Sequence, residues 1–188
     1  MPANSDPGSD FEFEDDFSSE PETDDHHADI TTLQRIRTEI EGYLELGMAE
    51  LAEEELNALP RGVSGHPLML DARLSLLMQT RRWTEAVETG LLGCAAAPQG
   101  PAFFIHTAFC LHELGRTAEA HLLLTSGPES LHREALYHYN IACYLAVLGR
   151  PAEAGPNLSR AFRIDPSLRK YARSDRDLQS LWPKLPGF

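Results

Sequence analysis

Histidine and cysteine crowd one stretch of this sequence: five of its eight histidines fall between His106 and His138, and Cys110 stands among them. His106 and Cys110 are four residues apart, a spacing that puts both side chains on one face of a helix, and His112 and His121 follow closely. Such groups could ligate zinc, or pair as a thiol nucleophile and its base. A zinc centre needs three or four ligands converging at about 2.0–2.3 Å, and the tight signatures C-x2-C and H-E-x-x-H are missing. Nothing marks the electropositive pocket or the orienting third group that an activated thiolate requires. The run "GCAAAPQGP" lacks the Gly-Lys-Ser/Thr end of a phosphate loop. These histidines therefore read as helix-surface residues and Cys110 as part of a helix seam. No catalytic, cofactor or metal site is expected, and an enzyme is not expected. A metal- or thiol-dependent protein built on His106, Cys110, His112 and His121 is the rival reading.

The elements that carry these residues repeat. Overlaying the sequence on itself at an offset of 34 residues aligns "LGMAELAEEELN", "TRRWTEAVETGL", "ELGRTAEAHLLL" and "VLGRPAEAGPNL". Ala52, Ala86, Ala120 and Ala154 then share one position, and Gly47, Gly115 and Gly149 another. A period of this length is the signature of a stacked repeat architecture. Apolar residues fall at helical spacing from Ile30 onward, with almost no alternating stretch to suggest a strand. Each period reads as two short helices joined by a tight turn, eight in all, and "PRGVSGHP" reads as a loop. The alanine lies one turn into each second helix, where two helices can approach to about 8–10 Å only over a small side chain.

Charge and cysteine usage narrow the function classes. The formal net charge is −13, but residues 1–29 hold eleven of the 29 acids and no Lys or Arg, so the rest is nearly neutral, 18 acids against 16 bases. No Lys/Arg stripe of the kind that tracks phosphates is visible, and nucleic acid is not an expected partner. The chain has no run of about eighteen apolar residues and no basic-then-apolar start, so no membrane contact is expected. Cys94, Cys110 and Cys143 are odd in number, widely separated and set in apolar helical text, which fits a reducing, cytoplasmic location. Residues 1–28 are too poor in aliphatic side chains to offset the entropy of ordering and are expected to be a disordered acidic tail. Within it, "FEFEDDF" places Phe11, Phe13 and Phe17 among acids, a composition also found in short segments that fold on a partner; a solubilising tail with incidental aromatics is the alternative.

The repeat resembles the tetratricopeptide repeat. In the fourth unit the signature positions are His138, Ile141, Ala142, Leu145, Ala154, Leu158, Ala161 and the closing Pro166. The third unit supplies Phe104, Thr107, Ala108, Leu111, Ala120 and Leu124. Units one and two are more degenerate: Ile40 and Leu74 stand where the family prefers a small residue, and Gly90 and Gly93 weaken the second helix of unit two. The resemblance implies an all-α, right-handed solenoid of four helix pairs, at about 33–66, 67–100, 101–134 and 135–168. The segment "DPSLRKYARSDRDLQSLW" is similar to the closing segment of some bacterial arrays of this family, which implies a capping helix within 167–182. Its apolar face would carry Leu168, Tyr171, Ala172, Leu178, Leu181 and Trp182, and its outer face Arg169, Lys170, Arg173 and Asp175. Residues 183–188 are left as a C-terminal tail.

Function in this family comes from a concave groove lined by the first helices, so the resemblance implies non-catalytic binding of a peptide or amphipathic segment of another protein. The family's groove positions fall here on Gln34, Arg37 and Glu41, then Asp71, Ser75 and Met78, then Ile105, Phe109 and His112, then Tyr139 and Cys143. Family members that clamp an acidic C-terminus use several basic residues there, whereas only Arg37 is basic, so a carboxylate clamp is not expected. The groove is expected to be polar at its N-terminal end and apolar and aromatic at its C-terminal end, the alternative being that the cap helix or neighbours partly cover Phe109 and Tyr139. An adaptor, scaffold or assembly factor is the main reading, and a dedicated chaperone for secreted or pilus-type substrates the second. Phe11, Phe13 and Phe17 could also enter the groove intramolecularly.

Overall fold

A computed structural model describes residues 29–182; the two expected tails, 1–28 and 183–188, lie outside the described residues. The described chain is an all-α solenoid. Its four helix pairs are α1 (Ile30–Glu45) with α2 (Ala49–Ala58), α4 (Pro67–Gln79) with α5 (Trp83–Ala96), α6 (Pro101–Glu113) with α7 (Thr117–Thr125), and α8 (Ala135–Val147) with α9 (Pro151–Ile164). The loop expected at "PRGVSGHP" contains a single helical turn, α3 (Arg61–Ser64), which tucks Val63 into the core. A 3-10 turn at Glu129–Arg133 buries Leu131 in the same way between the third and fourth pairs.

The four inter-helix turns share one geometry because they share one backbone requirement. Gly47, Gly115 and Gly149 have φ of 72°, 75° and 76°, and the equivalent residue in the second pair is Arg81 at 57°. In each, the residue after the left-handed position donates its N–H five residues back: Met48 to Tyr43, Arg82 to Leu77, Arg116 to Leu111 and Arg150 to Leu145, all at 2.8–2.9 Å. This is the Schellman closure, which satisfies the last carbonyls of the first helix. Only glycine occupies that conformation without a Cβ penalty, so Arg81→Gly is expected to stabilise the chain by about 0.5–1 kcal/mol, read as a raised midpoint in urea.

Ala52, Ala86, Ala120 and Ala154 are all at 0% exposure, at the crossings where the sequence places them. Ile40 and Leu74, with Ala108 and Ala142, form a second fully buried series, and the larger pair is accommodated in the first two units. α5 is continuous from Trp83 to Ala96 across Gly90 and Gly93. Both glycines lie where α5 closely approaches α6: a Cβ on Gly93 would lie 2.1 Å from Cδ1 of buried Phe103, and one on Gly90 would lie 2.0 Å from Oγ1 of Thr107. Helix propensity alone favours Gly93→Ala by up to about 1 kcal/mol. Overpacking opposes it by about 1–3 kcal/mol, and a net loss of about 1–2 kcal/mol in thermal melts is expected.

The buried side chains form one large cluster through the last three pairs and two smaller ones: Ile40, Leu44, Ala52, Leu56, Ala72 and Leu76 join the first pair to the second, and Leu33 and Met69 pack with Val63 of α3. The large cluster continues into the closing segment through Leu168, Ala172, Leu178 and Leu181. That segment is a cap in two pieces. The short helix α10 (Leu168–Ala172) is followed by a 3-10 turn at Arg176–Leu178, with Asp175 between them. Among the described residues no helix is long and apolar enough to cross a membrane.

Candidate functional site: a groove closed by the cap

The first helices α1, α4, α6 and α8 carry the residues expected to line the groove, and the structure sorts these into three groups. At the N-terminal end, Arg37 pairs with Asp71 at 3.0 Å and with Glu41 at 2.8 Å, so the polar residues neutralise one another across α1 and α4. At the other end, Met78, Ile105, Phe109 and Tyr139 come together with His106, Leu136, Asn140, Leu168 and Tyr171 around a cavity of about 380 Å³. Trp83 meets Phe109 edge to face, with ring centroids 5.8 Å apart, and fixes the ring's orientation. His112 and Cys143 are not on the wall of this cavity; both bond to the cap.

The cap is seated by a hydrogen-bonded network. Tyr139 donates its hydroxyl to Oδ2 of Asp175 at 2.6 Å, and the Cys143 thiol donates to the same oxygen at 3.6 Å. Oδ1 of Asp175 accepts from the Asp177 N–H and starts the 3-10 turn. Asp177 Oδ2 lies 2.9 Å from Nε2 of His112, whose Nδ1 lies 3.0 Å from the Thr117 hydroxyl. Asp175, expected on the outer face with the bases, is thus turned inward, because it is the acceptor that two buried donors need. Burial, reinforced by the two cap carboxylates, pushes the Cys143 thiol far above its ordinary range, so it stays protonated and donates. The Tyr139 hydroxyl is raised by burial first and by its bond to Asp175 second.

Among the described residues His106, Cys110, His112 and His121 are not brought together in one group. Cys110 is fully buried in the helix seam, and desolvation pushes its thiol up to about 11. His112 belongs to the cap network, and His121 is half-buried on α7. Among the described residues the one group of three ligand-type atoms within 4.8 Å of one another is Cys143, Asp175 and Asp177, and each of these already has a hydrogen-bond partner in the network. His106 alone faces the cavity. Its Nδ1 is buried with no partner among the described residues, and desolvation, opposed by Asp71, lowers its basicity, so it presents a neutral imidazole.

Leu136 and Tyr171 are cavity residues that the sequence reading missed. Leu136 stands in the same frame as Gln34, a groove position in the first unit, so the period itself pointed to it. Tyr171 was expected to face the last repeat, yet it is 62% exposed and forms an outer wall of the cavity. A second periodic feature also went unread. Arg82, Arg116 and Arg150 each grip Glu85, Glu119 and Glu153, three residues on, with Arg Nε to carboxylate distances of 2.7 Å. These forks hold the three carboxyls below the usual range, but they are exposed and screened, and add little stability.

No protein-family profile and no curated protein matches the chain. Two solved structures share its fold. A MamA point mutant superposes with a TM-score of 0.59 at 20% identity, covering 71% of this chain and 77% of that one. MamA MSR-1 C2 gives a TM-score of 0.59 at 19% identity, covering 72% and 78%. The likeness is to a tetratricopeptide-like helical repeat array, and at this identity it shows the fold alone.

Proposed function

We propose that the chain is a non-catalytic protein-binding module of the tetratricopeptide type, an adaptor or assembly factor that grips an amphipathic segment of a partner at the C-terminal end of its groove. The observation that carries this reading is the cavity of about 380 Å³ walled by Met78, Ile105, Phe109, Leu136, Leu168 and Tyr171. Water gains little there, and apolar side chains from a partner helix or extended segment gain much. The N-terminal end of the groove contributes less, since Arg37 and Asp71 are already paired. Three free, buried cysteines suit a reducing cytoplasm, which completes the reading.

Leu136 and Tyr171 are 47% and 62% exposed, so Leu136→Glu with Tyr171→Glu tests the groove without touching the core. Expected is an unchanged melting curve with at least a tenfold loss of captured partner from source-cell extract, compared by quantitative mass spectrometry. Undiminished capture would place the binding surface elsewhere.

A further inference from the structure

Resting on that groove reading, we propose that the chain's own N-terminal segment, Phe11 to Phe17, is a resident ligand of the cavity between α6, α8 and the cap, and that a partner must displace it. The first support is charge. Arg163, Arg169, Lys170, Arg173 and Arg176 are all exposed, five of the chain's 16 bases within the fifteen residues 163–177 that include Leu168 and Tyr171. None of the five forms an ion pair among the described residues; the contact recorded for Arg169 is with the ring of Phe162. Against these five bases the same stretch holds three acids, Asp165, Asp175 and Asp177, a formal balance of plus two, and Asp175 and Asp177 turn inward to Tyr139 and His112. A net basic stretch beside an apolar cavity fits a ligand that alternates aromatic and acidic side chains.

The second support is composition. Residues 1–29 carry eleven acids and no Lys or Arg, and "FEFEDDF" sets three of the chain's eight phenylalanines among them. Apart from Met1, these three are the large apolar side chains of the segment. The third support is reach. Phe17 stands twelve residues before Asp29, a contour of about 40 Å. At about 8–10 Å for each of the three steps between first helices, the span from α1 to α8 is about 30 Å or less. A tether of this length gives an effective concentration near the millimolar range, enough to keep a segment with a Kd of about 0.1 mM mostly docked.

The test uses the full chain with Phe11→Ser, Phe13→Ser and Phe17→Ser, changes that leave the described core untouched. A fluorescein-labelled peptide of residues 8–20 is titrated into this variant and into the unaltered chain, and anisotropy is read. The peptide is expected to bind the triple variant and to bind the unaltered chain at least about tenfold more weakly, since its own segment competes. Adding Leu136→Glu and Tyr171→Glu to the triple variant is expected to abolish binding, and Arg169→Ala with Arg173→Ala to weaken it. Failure to bind the triple variant, or equal binding to both chains, overturns the inference. If partner capture still depends on Leu136 and Tyr171 in that event, the inference falls alone; if it does not, the groove reading falls with it.

Discussion

Replacing Ala120 by glutamate is expected to cost about 4 kcal/mol or more and to lower the melting temperature by about 10 °C or more. Ala120 has no exposed surface and lies where α7 crosses α6. Overpacking at such a site costs about 1–3 kcal/mol, and burying a carboxyl without a partner adds several more, even after it takes up a proton. Small domains are stable by only about 5–15 kcal/mol, so the loss approaches the total. Because a solenoid is held by neighbour interfaces, the damage spreads to the pairs on either side. Ala154→Glu should behave alike, since Ala154 is equally buried at the crossing of α9 and α8. Ala120→Ser, which adds one atom and no charge, supplies the control and should stay within about 1 kcal/mol of the unaltered chain. A melting curve within about 2 °C for either glutamate would show that these helices do not pair over the alanine.

Asp175→Ala is the second large effect, and its character differs because it acts on the cap rather than on the array. The carboxylate accepts from the Tyr139 hydroxyl, the Cys143 thiol and the Asp177 N–H. Its removal leaves buried donors without an acceptor, at a cost of about 2–4 kcal/mol. That energy is concentrated in the contact between the closing segment and α8, so the expected result is undocking of residues 173–182 while the four pairs remain folded. Cys143 reports on this directly. In the unaltered chain it is 4% exposed and held protonated, hence inert to thiol reagents. In Asp175→Ala its labelling should rise by roughly a hundredfold, the factor that about 3 kcal/mol gives, while Cys94 and Cys110 stay protected. Asp175→Asn, which retains an acceptor oxygen, should fall between the two. Equal labelling of Cys143 in all three chains would show that the network does not hold the cap.

The period of 34 residues made the array legible, because a repeated position must solve the same packing problem each time. Ala52, Ala86, Ala120 and Ala154 therefore announced the helix crossings, and Gly47, Gly115 and Gly149 the turns. Arg81 shows how the signal fails: its backbone is that of the glycines, but its side chain hides the equivalence. Gly93 shows a different failure. Local propensity treats glycine in a helix as a weakness, whereas here it makes room for Phe103 of the next helix, a relation between elements that propensity does not contain. Met78, Ile105, Phe109 and Tyr139, which the period set on successive first helices, share one cavity. What could not be read was which residues the cap would claim. His112 and Asp177 are 65 residues apart, and no periodicity links them, since the cap is not a repeat.

The central claim is that partners dock against the cavity between α6, α8 and the cap. A photo-reactive amino acid placed at Leu136, on the cavity wall, and separately at Leu92 of α5, which is more exposed and outside that wall, tests it in intact cells of the source. Position 136 is expected to yield a discrete partner adduct, lost with Tyr171→Glu, and position 92 to yield none. Adducts from position 92 with none from position 136 would contradict it and move the binding surface away from the groove.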